Sequence, residues 1–232
     1  MLSWVLSTMM KATPIMSKVS TVVYKGMPWF GGALTLLVVG SLLYLHLFAK
    51  AEVPREARWD QSPGLILCAS TPGWVQAPDV THALNWWDER GFPIQEVIRR
   101  DCLASCQGVN ASGVIRPVPC YPGYITISLA DSTLGSKHLG ETIRPVGDKI
   151  PWAAIVFPGV FTTQDETEAP TEGPLVDMDE LKRMVIAHEI GHALGFGHTF
   201  TPMGCGISST KTGHIMNPDT KGLGWDSEGI TP

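Results

Sequence analysis

The chain is 232 residues long, 44% hydrophobic and 17% charged, too apolar for intrinsic disorder and too short for a large multidomain enzyme. Its net charge of -5 conceals an asymmetry: residues 1–50 hold four lysines and no acid, which leaves 13 basic against 22 acidic groups on the rest. So acidic a body binds nucleic acid poorly, because phosphates are engaged by clustered Lys and Arg, and no nucleic-acid partner is expected.

Residues 1–28 read as a cytoplasmic N-terminal segment and 29–49 (WFGGALTLLVVGSLLYLHLFA) as a transmembrane helix. These twenty-one uncharged residues span about 30 Å at about 1.5 Å each, the thickness of a bilayer core, so the membrane is an expected partner. The small-x-small pattern Ala49-Lys50-Ala51 keeps a cleaved signal peptide open as the alternative. Both readings put the body outside the cytoplasm, either anchored or secreted. There Cys102, Cys106 and Cys120 are disulfide candidates, with pairing expected within that group and one of the five cysteines left over.

Residues 50–63 are polar and proline-flanked, which suits a linker, and 64–232 read as one folded domain. LILCA at 65–69 predicts a buried strand. APDVTHALNWWDER at 77–90 predicts a helix with Val80, Leu84 and Trp87 on one face and Gly91 just past its end. A strand follows at 94–99, then a loop-rich stretch at 101–123, then strands at 124–129, 142–144 and 152–157. Pro151 and Pro158 bound the last of these, as an edge strand tolerates. This order predicts an α/β (α+β) fold with one mixed, twisted sheet. Residues 162–180 carry seven acids and no base, a solvated run whose carboxylates also make Ca2+ a candidate ligand. Asp177 and Glu180 have capping-box spacing, which starts a second helix near Met178.

That helix runs into His188-Glu189-Ile190-Gly191-His192-Ala193-Leu194-Gly195-Phe196-Gly197-His198. At about 100° per residue, His188 and His192 lie about 40° apart and one turn apart, so both imidazoles can meet one ion. In an unbroken helix His198 would sit about 240° round from His192, on the wrong side. Gly195 is where the chain can turn and swing His198 back as third ligand. Three neutral imidazoles leave a fourth position open on a zinc ion, the catalytic arrangement, and Glu189 sits beside the metal as general base.

The eleven-residue pattern resembles the long motif of the metzincin zinc endopeptidases, with His188, His192 and His198 as ligands and Glu189 as base. Downstream, Gly213-His214-Ile215-Met216-Asn217-Pro218 looks like that family's Met-turn, with Met216 beneath the ligands, and the Met-x-Pro pattern is most similar to the matrixin branch. The resemblance implies one catalytic Zn2+, an endopeptidase domain over 64–232 and a peptide or protein substrate. It also implies that the substrate pairs with an edge strand at Trp152, Ala153, Ala154 and Ile155. A monomer is expected. The competing reading is a non-catalytic, membrane-anchored interaction module with a structural zinc held by the three histidines and Cys205, a site that does not require Glu189. His82 falls on the first helix and His138 in a polar loop, where a solvated side chain is expected over a second zinc ligand, and His214, ahead of the Met-turn, is a candidate for supporting a ligand or facing substrate.

Overall fold

The computed structural model describes residues 53–110, 112–130, 139–161, 177–199, 201–202, 208–209, 213–218 and 222–232. The apolar run 29–49, His138, the acidic residues 162–176 and Cys205 lie outside them. Among the described residues no helix is long and apolar enough to cross a membrane.

Strand β1 (Gly64–Cys68) is buried along its whole length and leads through helix α1 (Ala77–Asp88) to β2 (Val97–Arg100), which pairs parallel to β1. A βαβ passage of this kind places the helix against one face of the sheet. Pro sits in the first turn of α1, where its missing N–H costs nothing, and Gly91 follows at φ 85°. The chain continues through β3 (Ser105–Asn110), β4 (Ile115–Pro119), β5 (Tyr124–Leu129), β6 (Glu141–Arg144) and β7 (Ala153–Phe157) to helix α2 (Met178–Ala193). A two-stranded ladder of β8 (Thr201–Pro202) and β9 (Ser208–Ser209) follows.

The main sheet has seven strands in the order β2-β1-β5-β7-β6-β3-β4. The pairs β1–β2, β1–β5 and β5–β7 are parallel, while β6–β7, β3–β6 and β3–β4 are antiparallel, so the sheet is mixed as expected. Leu65, Leu67, Ile125, Ile127, Ala153, Ile155 and Phe157 face one core with Val80, Ala83, Leu84 and Trp87 of α1 and Leu181, Val185, Ile186 and Ile190 of α2. The alternate residues Trp152, Ala154 and Val156 join Val118, Cys120 and Ile143 in a second core on the other face.

Three expectations are corrected. The strand at 152–157 is not an edge: β7 lies inside the sheet, with Ala154 paired to Thr126 on one side and Ile143 on the other. Pro151 and Pro158 fall just outside it, where they remove no ladder bond. The stretch at 101–123 is not only loop, since β3 and β4 form a hairpin there. As the outermost strand, β4 can hold Pro117 and Pro119 because one of its sides needs no partner. The cysteines pair as Cys106–Cys120, within the expected group, and as Cys68–Cys102, outside it. The parallel register sets Cys68 opposite Arg100, which brings Cys102 alongside.

Candidate metal centre

Helix α2 begins where the sequence indicates, with the Asp177 carboxylate accepting from the backbone N–H of Asp179. The capping box is half-formed: Glu180 turns instead to the Trp225 indole and the Arg183 guanidinium. The last turns of α2 carry His188, Glu189 and His192, and the helix stops at Leu194. Gly195 then takes φ 98°, a left-handed conformation that glycine adopts without strain. A Cβ at this position would also strike the carbonyl of Ala57.

That carbonyl belongs to residues 53–59, a segment expected to serve only as linker. Pro54 O accepts from Gly197 N–H at 2.7 Å, Glu56 N–H donates to Gly195 O at 2.8 Å, and the Trp59 indole donates to Ala193 O at 2.9 Å. Arg55 bridges antiparallel to Phe196, and its guanidinium lies 5.4 Å from the Phe196 ring centre and 5.2 Å from that of Phe92. The segment therefore straps down the turn that carries His198.

The turn brings the three histidines together, their ligand atoms all within 4.8 Å of one another. Nε2 of His192 lies 3.0 Å from Nε2 of His188 and 3.1 Å from Nε2 of His198. His188 Nδ1 is 2.8 Å from the carbonyl of Ile215, and His192 Nδ1 is 2.8 Å from the carbonyl of Phe196. A carbonyl only accepts, so both Nδ1 atoms carry the proton and both Nε2 atoms present lone pairs. Lone pairs so close repel unless a cation lies between them, and the cluster can hold a metal ion. Imidazoles suit zinc, copper, iron and nickel alike, so the donor set alone does not choose among them.

Burial keeps the rings neutral. It pushes His188 down to about 4, against the opposing hydrogen bond to Ile215, and holds His192 well below the usual histidine value, helped by the neighbouring histidines. His198, at the rim, is lowered by its own desolvation, with the Glu56 carboxylate opposing. Neutral rings need lose no proton to bind a cation at Nε2.

The carbonyl on His188 comes from the turn at 213–218. His214, fully buried, holds this turn: its Nδ1 accepts from Met216 N–H at 2.9 Å, and its Nε2 donates to Glu228 O at 2.9 Å. Met216 is also fully buried, packed on α2 where a Cβ at Gly191 would collide with its sulfur. His82 stays exposed on α1, its ring edge on to Trp225.

Glu189 is 7% exposed and lines the same cavity, of about 540 Å³, as the three histidines. Desolvation raises its carboxyl to about 7, although the Thr142 hydroxyl, 2.7 Å from Oε2, pulls the other way. Leu139 and Gly140, just before β6, and Glu141 and Thr142, its first residues, form one wall of the cavity. The Arg144 guanidinium and the Glu56 carboxylate pair at its rim. Trp152, Ala153, Ala154 and Ile155 are buried in the two cores and contribute nothing to the cavity lining.

No protein-family model matches the chain, and no curated protein matches it.

Proposed function

We propose that the protein is a zinc-dependent endopeptidase of metzincin type, held at a membrane by the apolar run 29–49 with its body on the extracytoplasmic side. The two disulfides support an oxidising compartment. One observation carries the enzymatic reading: a buried carboxylate, Glu189, shares a cavity with three neutral histidines whose Nε2 lone pairs converge. A structural site has no use for that carboxylate.

Zinc bound by His188, His192 and His198 would act as a Lewis acid and bring the pKa of a water in its open position to about 7. Glu189, buried in the same cavity as the three rings, is placed to accept a proton and to return it to the leaving amine of the cleaved bond. The hydrogen bonds from His188 to Ile215 and from His192 to Phe196 fix the ring orientations and direct both Nε2 atoms inward. An extended substrate is best placed along β6: residues 139–142 line the cavity, and β3 covers the outer side of β6 only at Ile143 and Arg144.

The test compares the parent protein with Glu189→Ala and His192→Ala for zinc content and for cleavage of a mixed peptide library, mapped by mass spectrometry. Glu189→Ala should keep its zinc and lose about 10²- to 10⁴-fold in rate, whereas His192→Ala should lose zinc affinity. Parental cleavage by Glu189→Ala overturns the mechanism. A zinc-loaded parent that cleaves nothing favours the structural-zinc module.

A further inference from the structure

The start of β6 is built around Glu189. Gly140, just before β6, and Thr142, within it, both face Glu189. A Cβ at Gly140 would sit 2.8 Å from Glu189 Cγ and 2.8 Å from Phe157 Cε1, so glycine leaves the room that the glutamate side chain occupies. Two residues on, Thr142 Oγ1 lies 2.7 Å from Glu189 Oε2 and 3.0 Å from the main-chain carbonyl of the same residue. Both side chains are buried, Thr142 at 9% exposure and Glu189 at 7%. Glu141, between Gly140 and Thr142 in sequence, is turned to Asn110 and Arg116 of the β3–β4 hairpin. This cross-link fixes β6 from its other side.

A hydroxyl has one proton, and an ionised carboxylate attracts it more strongly than an amide carbonyl does. Thr142 therefore donates to Oε2 when Glu189 is charged, which fixes the rotation of the carboxylate. We propose that Thr142 is a positioning residue for Glu189: its hydroxyl reserves Oε2, so that a proton is taken up and given back at Oε1. The inference rests on the peptidase reading for its consequence in catalysis, and on geometry alone for the orientation of the carboxylate. Nothing about the sequence spacing of Thr142 announces the role, since 47 positions separate it from Glu189.

The experiment uses the full chain loaded with zinc, as parent, Thr142→Val and Thr142→Ser. Valine keeps the shape and removes the donor, while serine keeps the donor. Thr142→Val should retain parental zinc content and fold, lose about 10- to 100-fold in kcat and change KM by less than about threefold; Thr142→Ser should recover most of the rate. A second readout does not depend on turnover. With cobalt(II) in place of zinc, the visible d–d bands report the ligand field, and Thr142→Val should shift them in the same sense as Glu189→Gln, with Thr142→Ser superimposing on the parent. Thr142→Val bands that match the parent, or a Thr142→Ser variant as impaired as Thr142→Val, overturn the positioning role. An inactive parent whose cobalt bands still obey this pattern overturns the peptidase reading and leaves the positioning role standing. An active parent with an unimpaired Thr142→Val variant does the reverse.

Discussion

Replacing Gly195 by Ala should weaken the metal site without touching a ligand. At φ 98° an L-residue is strained, at a cost of order 1–3 kcal/mol. The new Cβ also meets the carbonyl of Ala57, so residues 53–59 must retreat and the 2.8 Å bond from Glu56 N–H to Gly195 O is put at risk, worth about 1 kcal/mol. Together these amount to roughly 2–4 kcal/mol. If the chain relieves the strain by rotating the turn, His198 leaves the other two rings and the cost appears as lost affinity, about 30- to 1,000-fold at 1.36 kcal/mol per decade. Competition with a chelating dye measures that affinity, and the melting temperature of the metal-free protein shows how much of the strain stays in the fold. Gly73→Ala is the control, because a Cβ there meets nothing within 4 Å and its φ is not left-handed. A Gly195→Ala protein with parental affinity and parental melting temperature would refute the reasoning.

The pH dependence of the metal-free protein has a definite sign. His188 titrates at about 4 when folded and near 6.5 when unfolded, so its contribution is present above 6.5 and lost as pH falls towards 4. Glu189, raised to about 7, acts oppositely, and His192 and His198 tip the balance, so urea midpoints should fall from pH 6.5 to 4, more steeply in Glu189→Gln. Midpoints that rise over this window contradict the neutral-ring assignment. Removing Cys106–Cys120, which closes a separation of 14 residues, should cost about 3 kcal/mol, and removing Cys68–Cys102, with 34, about 4. Urea unfolding of the paired Cys→Ser variants measures both, and a smaller loss for the larger loop would count against the chain-entropy account.

The parts of the site legible in the sequence are those set by local rules. The helical spacing of His188 and His192, the break at Gly195 and the start of α2 near Met178 each depend on residues within one or two turns. What the sequence hides is set by neighbours distant along the chain. The strap at 53–59 is joined to α2 mainly through backbone groups, which leave no mark on composition. Thr142 reaches Glu189, 47 positions on, and His214 reaches the carbonyl of Glu228, 14 positions on, partners that the fold brings near. WAAIVF is a continuous apolar run rather than an alternating one, the pattern of a strand buried on both faces. The two flanking prolines point to an edge, yet they lie outside the strand and remove no donor from it. Among the described residues it is β6, not β7, that has an uncovered side next to the cavity.

The metal-free cluster is itself a source of instability that the rest of the fold must outweigh. Two buried imidazoles are held with lone pairs 3.0 Å apart, and a buried carboxylate stands beside them. Three separate stretches hold this arrangement: 53–59 on the turn before His198, α2 itself, and the 213–218 turn fastened to Glu228 by His214. Each is pinned by backbone hydrogen bonds rather than by apolar contact alone. A cation bound only to the folded state removes the repulsion and adds stability as the logarithm of its concentration, about 2.7 kcal/mol at one hundred times its Kd. Metal binding and the integrity of the strap are therefore linked, and whatever loosens one must weaken the other.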